Sequence, residues 1–157
     1  MPCSATRRMP RVSGEAQEVA RAEAQAVLSM VVDEGRRAKL ADVVAAVDEG
    51  VVEGSDADAL AELLELGLST GRVRALYGPG GEQAALGLFR RLPLGKEIAE
   101  TTRELNEALS ALEGRTIEKI TVSAAGPGEY GVTVSTEDFE IALRLGKAGA
   151  RVASIGA

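Results

Sequence analysis

Apolar residues recur every three or four positions through the first two thirds of the chain and every second position through the last third. Over 15–34, Val19, Ala22, Ala26, Val27, Met30 and Val31 form one such stripe, which predicts an amphipathic helix closed by Gly35. Leu40, Val43, Val44 and Val47 predict a second helix over 36–49, with Gly50 as its C-terminal stop. A third begins at Ser55, read as an N-cap that, with the early Asp58, satisfies free amides; it carries Leu60, Leu63 and Leu64 as far as Gly67.

The stretch 67–81 contains Gly71, Gly78, Pro79 and Gly80 and reads as a loop around a short extended piece, 73–77. A helix over 82–92 presents Ala85, Leu88, Phe89 and Leu92, and Pro93 ends it. The longest helix, 95–113, lines up Ile98, Thr102, Leu105, Leu109 and Leu112 in a narrow seam before Gly114.

Beyond Gly114 the period falls to two. Ile120 and Val122, then Tyr130, Val132 and Val134, then Phe139, Ile141, Leu143 and Leu145, then Val152 and Ile155 alternate with polar or small residues, and short Gly-rich or polar turns separate the runs. That is the signature of a four-stranded antiparallel meander with one polar face. A one-sided sheet needs a cover, and helix 95–113 has the matching seam. The expected fold class is α+β: a helical N-terminal half, about five helices in all, followed by a four-stranded antiparallel meander covered by helix 95–113. The expected organisation is a disordered basic arm (1–12), a helical region (13–66), a Gly-rich loop with a short helix (67–94) and a helix-plus-meander unit (95–157).

Composition narrows the chemistry. The 157 residues are 45% hydrophobic and only 3% aromatic, with no Trp, no His and a single cysteine, Cys3. The core is therefore aliphatic, and His-based acid–base catalysis, Ser-His-Asp and Cys-His constellations, ordinary zinc sites and an intramolecular disulfide are all removed. No cofactor and no metal are expected. The acidic group Asp48, Glu49, Glu53, Asp56 and Asp58 fails the EF-hand pattern, because Gly50 and Val52 fall where ligands belong.

The formal charge is −6, from 18 basic and 24 acidic residues, which argues against nucleic acid as a partner. A helix-turn-helix over 36–66 meets the same objection, since its second helix is strongly acidic. Charge is also segregated: 42–65 holds only carboxylates, whereas Arg72, Arg74, Arg90, Arg91 and Lys96 face only Glu82 over the next stretch. The plain reading is that the two segments are solvated and pair with each other, within the fold or between subunits. No apolar run is long enough to span a membrane, and Arg7, Arg8 and Arg11 precede no apolar leader, so the expected location is the cytoplasm.

Four groups of residues carry candidate chemistry. Gly80 and Gly81 ahead of a helix resemble an anion-cradling turn that Arg72 or Arg74 would assist, although Glu82 opposes a phosphate there and a structural turn is the plainer reading. Arg90 and Arg91 extend this to an anion- or partner-binding patch. Glu118 shares a strand face with Ile120 and Val122, where burial would fit a carboxylate for acid–base work, and Tyr130 on the next strand is a weak proton-donor candidate. A strand-start glutamate and an isolated tyrosine are more often surface and packing residues.

The leading expectation is a non-enzymatic, cytoplasmic protein-interaction or assembly module, a homodimer whose final strand, ending at Ile155, offers an edge for pairing. A small-molecule-binding or enzymatic domain, with a pocket between helix 95–113 and the sheet, stands second. A nucleic-acid-binding regulator stands third.

Overall fold

The computed structural model describes residues 11–146 and 149–156, so the arm expected at 1–12 lies outside the described residues except for Arg11 and Val12. The chain is α+β: helices α1 (Glu15–Met30), α2 (Glu34–Glu49), α3 (Gly54–Ser69), α4 (Arg72–Phe89) and α5 (Pro93–Ser110) precede strands β1 (Lys119–Gly126), β2 (Glu129–Ser135), β3 (Glu140–Gly146) and β4 (Gly149–Gly156). It divides into two compact units, Met1–Lys96 and Glu97–Ala157.

The first unit is built on an aliphatic core. Leu60, Leu64, Leu88, Leu92, Val43, Val47, Val52 and Val73 are fully buried, each large side chain contributing roughly 1.5–3 kcal/mol of burial. Helix α1 meets α2, α3 and α4 through Ala16, Val19, Ala20, Glu23 and Ala24, a face rotated from the stripe read in the sequence. Small alanines allow close approach of three neighbours there, and Met30 is left exposed. Arg11 and Val12 do not hang free: the Val12 N–H donates to the Gly50 carbonyl at 2.9 Å, Arg11 bridges Val51, and Val12 is buried.

Three expected boundaries are corrected. Gly35 does not stop α1; it lies in the first turn of α2, whose N-cap is Asp33, with its carboxylate accepting the Arg36 N–H at 2.8 Å. Ser55 does not cap α3, because Glu53 occupies the N-cap position and Ser55 is already helical. The expected loop over 67–81 is largely helix, since α4 starts at Arg72. Residues 72–77 are mostly competent helix formers, and the break is confined to Gly78, at φ 69° and ψ −174°, a conformation that glycine alone adopts cheaply. Pro79 then opens the second half of the helix, where its missing N–H costs nothing.

In the second unit the strand order is β1-β2-β3-β4, each pair antiparallel, as the period-two pattern predicts. The β2–β3 turn is closed by Thr136, buried, whose N–H donates to the Phe139 carbonyl at 2.8 Å. Arg115 pairs with Asp138, holding that carboxyl below the usual carboxylate range, and stands 5.3 Å from the centre of the Phe139 ring.

The cover expected from helix 95–113 is incomplete. Within the sheet, Val134 and Ile141 are buried, but Ile120, Val122, Tyr130, Leu145 and Ile155 remain exposed. On α5, Leu105 and Leu109 are only half-buried and Ile98 is exposed. The helix also stops at Ser110, the following residues forming turns. Among the described residues no helix is long and apolar enough to cross a membrane.

Candidate functional site

The strand register sorts the sheet into two chemically distinct faces. One carries three rows of cross-strand neighbours: Ile120, Val134, Ile141 and Ile155; Val122, Val132, Leu143 and Val152; Ala124, Tyr130, Leu145 and Ala150. No charged side chain interrupts it. The opposite face carries Lys119, Ser135 and Glu140, then Thr121, Thr133 and Ser154, then Ser123, Arg144 and Arg151. On that face the Ser135 hydroxyl donates to Glu140 at 3.0 Å, and Arg144 lies 3.8 Å from Glu129.

Only Val134 and Ile141, neighbours in the first of these rows, are buried on the apolar face. Ile141 is fully buried, whereas Ile120 is 60%, Val122 64%, Tyr130 54% and Ile155 56% exposed. With strands about 4.8 Å apart and residues about 3.3 Å along them, the face measures roughly 19 by 20 Å, or about 400 Å². Apolar patches of that size on a single chain are frequently functional.

A second cluster lies in the helical unit. Glu23, at 2% exposure, accepts from the Tyr77 hydroxyl at 3.2 Å and faces Arg72 Nε at 3.5 Å. Gly67 completes the wall, since a β-carbon there would meet Glu23 Oε2 at 3.2 Å and Val73 Cγ2 at 2.8 Å. Burial, then the neighbouring Glu23 carboxylate and the hydrogen bond to it, push the Tyr77 hydroxyl above its ordinary value. Buried charges persist when paired and hydrogen-bonded, and this arrangement ties α1 to the first half of α4.

The residues singled out in the sequence do not converge on one site. Arg72 is engaged by Glu23 of α1, and Arg74 by Glu82 within its own helix at 3.0 Å. Arg91 donates to the carbonyls of Gly87 and Arg11, at 3.2 and 3.0 Å, while Arg90 is exposed at the C-cap of α4. Within the fold, no ion pair joins the 42–65 and 72–96 segments among the described residues; Asp48 pairs with Arg21 at 2.9 Å. Gly80 sits against a carboxylate, its would-be β-carbon 3.1 Å from Glu15 Oε1, which places negative charge where the anion was expected. Gly81 is a packing residue, because a β-carbon would lie 2.4 Å from Tyr77 Cβ and 3.4 Å from Val19 Cγ2.

Glu118 is exposed, its N–H donating to the Ser135 carbonyl at 2.9 Å. Tyr130 lies at the other end of β2, about 16 Å from that point at strand spacing, so the two do not share a site. Among the described residues no three His, Cys, Asp or Glu side chains converge as metal ligands. Glu23 and Tyr77 went unread as a pair because 54 residues separate them; the available signal was Glu23 falling four residues after Val19 on the helix. No protein-family model, curated protein or solved structure matches the chain.

Proposed function

We propose that the chain is a non-enzymatic assembly module of the cytoplasm that associates with itself through the sheet of its second unit. The observation that carries this reading is the charge-free apolar face, whose rim residues Ile120, Val122, Tyr130 and Ile155 stand open to solvent. A face with no charge is complementary to its own copy, which is what a twofold interface requires. Two such faces would remove at most about 800–1,000 Å² in total, the low end of interface sizes, which belongs to weak and reversible association. Exposed large apolar side chains in that number also cost solubility unless a partner covers them.

A pocket between helix 95–113 and the sheet draws no support from a face this open. Sedimentation equilibrium from about 1 to 100 µM, the range set by that affinity class, tests the reading. The weight-average mass is expected to climb from one chain to two; a single-chain mass throughout would overturn it. Cell fractionation tests the location.

A further inference from the structure

We infer that the polar face of the sheet holds a phosphate group, free or as a small monoester, between Arg144 and Arg151 with help from the Ser123 hydroxyl. The site lies on the side of the sheet opposite the apolar face and stands whether or not the chain self-associates.

The register makes Arg144 of β3 and Arg151 of β4 direct cross-strand neighbours. Like charges so placed repel each other, and both residues are exposed. Among the described residues the pair has one ion-pair partner, Glu129, which stops 3.8 Å from Arg144, beyond hydrogen-bond distance. The ground around the pair is low. On the same face its nearest neighbours are Gly131 on β2, Ala142 and Gly146 along β3 and Gly149 along β4, a shallow floor on which an anion can reach both guanidiniums. A β-carbon at Gly131 would lie 2.9 Å from Ser123 Oγ, which puts that hydroxyl over the glycine, in line with the arginines. Both outer strands also bulge within two residues of this row. Ala125 is the extra residue in β1, between the pairs Ala124–Tyr130 and Gly126–Glu129, and Ala153 in β4, between Ala142–Ser154 and Leu143–Val152. Bulges re-aim side chains and are frequent next to active sites.

The donor set selects the ligand. A carboxylate has two oxygens, which a single guanidinium fork fills. A phosphate group offers three, enough for both forks and the hydroxyl, and its charge of about −2 offsets both arginines. Glu129 opposes it. Its side chain crosses Gly146, with Cγ 3.1 Å from where a β-carbon would stand, and its charge competes for Arg144.

NMR titration of the full chain with inorganic phosphate and with glycerol 3-phosphate, read at the arginine Nε–H and backbone amide signals, tests the site. Saturation is expected with a dissociation constant on the order of 1 mM, the largest shifts falling on Ser123, Gly131, Arg144 and Arg151. Tighter binding of glycerol 3-phosphate assigns the site to an ester, and equal binding assigns it to the free ion. Arg151→Gln should weaken both ligands about tenfold, and Glu129→Gln should strengthen them about threefold. Arg90→Gln, on the helical unit, should change neither. Because the two sheet variants act in opposite directions, loss of folding, checked by circular dichroism, does not reproduce the pattern. Shifts that grow without saturation, an equal response to acetate, or an unchanged affinity in Arg151→Gln would overturn the site.

Discussion

Removing the guanidinium of Arg72 tests whether Glu23 is held in the helical unit as a compensated charge. Arg72→Met keeps the aliphatic stem and deletes the partner, leaving a carboxylate at 2% exposure with only the Tyr77 hydroxyl. Breaking a fully buried pair costs about 3–5 kcal/mol. Here the separation is 3.5 Å and the Arg72 side chain is 37% exposed, so water screens part of the attraction and Tyr77 still donates. The expected cost is about 2 kcal/mol, equivalent to ~10 °C in Tm for a unit of this size. Urea unfolding followed by the helical circular-dichroism signal measures it. In a Glu23→Gln background no charge remains to be compensated, and Arg72→Met should cost less than about 0.5 kcal/mol. Equal costs in the two backgrounds would refute the reasoning, because the loss would then come from packing of the Arg72 stem.

Three further outcomes follow from local geometry. Since Tyr77 is raised above 10.0 in the folded chain, its contribution is complete below about pH 10 and is lost as pH rises through the folded value; Tyr77→Phe should flatten stability against pH above that point, and superimposable profiles would contradict it. Gly95→Ala places a β-carbon 2.1 Å from the Phe89 carbonyl oxygen, against backbone that cannot swing aside, so thermal unfolding should register a loss of about 2 kcal/mol despite the helix propensity of alanine. Asp33→Ala removes the hydrogen bond to the Arg36 N–H and should cost about 1 kcal/mol, whereas Ser55→Ala, at a position that caps nothing, should stay within about 0.5 kcal/mol; the reverse ranking would restore the boundary read from sequence.

The sheet was the most legible part of the chain. Alternation of Val132 and Val134 with Thr133, and of Ile141 and Leu143 with Ala142, determines face and pairing together, because a one-residue slip would turn every apolar side chain outward. The buried sides of α2, α3 and the end of α4 were equally readable, since Leu40, Val43, Val47, Leu60, Leu64 and Leu88 repeat at helical spacing. Glycine misled at three points. Gly35 and Gly67 read as stops, yet one lies within the first turn of α2 and the other inside α3, while the Gly78-Pro79 kink falls inside α4 where the sequence reads as a loop.

What the sequence concealed was tertiary. Glu23 looks like a surface residue until three helices close around it, and the direction in which Arg72 turns depends on that closure. Exposure of the sheet face was hidden as well. Periodicity identifies which side of a strand is apolar; it does not report what covers that side, and the cover expected from the seam of helix 95–113 leaves Ile120, Val122, Tyr130 and Ile155 exposed. The bulges at Ala125 and Ala153 leave no mark in composition, since alanine is common in and out of strands.

The central claim, that the sheet face is where two copies meet, is tested most directly by hydroxyl-radical footprinting across a concentration series. Tyr130, Leu145 and Ile120 report on the face, while Leu66 and Leu76, each 60% exposed on the helical unit, serve as internal references. Association through this face predicts that oxidation of the three sheet residues falls as concentration rises, with Leu66 and Leu76 unchanged. Equal reactivity of the sheet residues at every concentration, or protection of Leu66 and Leu76 in their place, would contradict it.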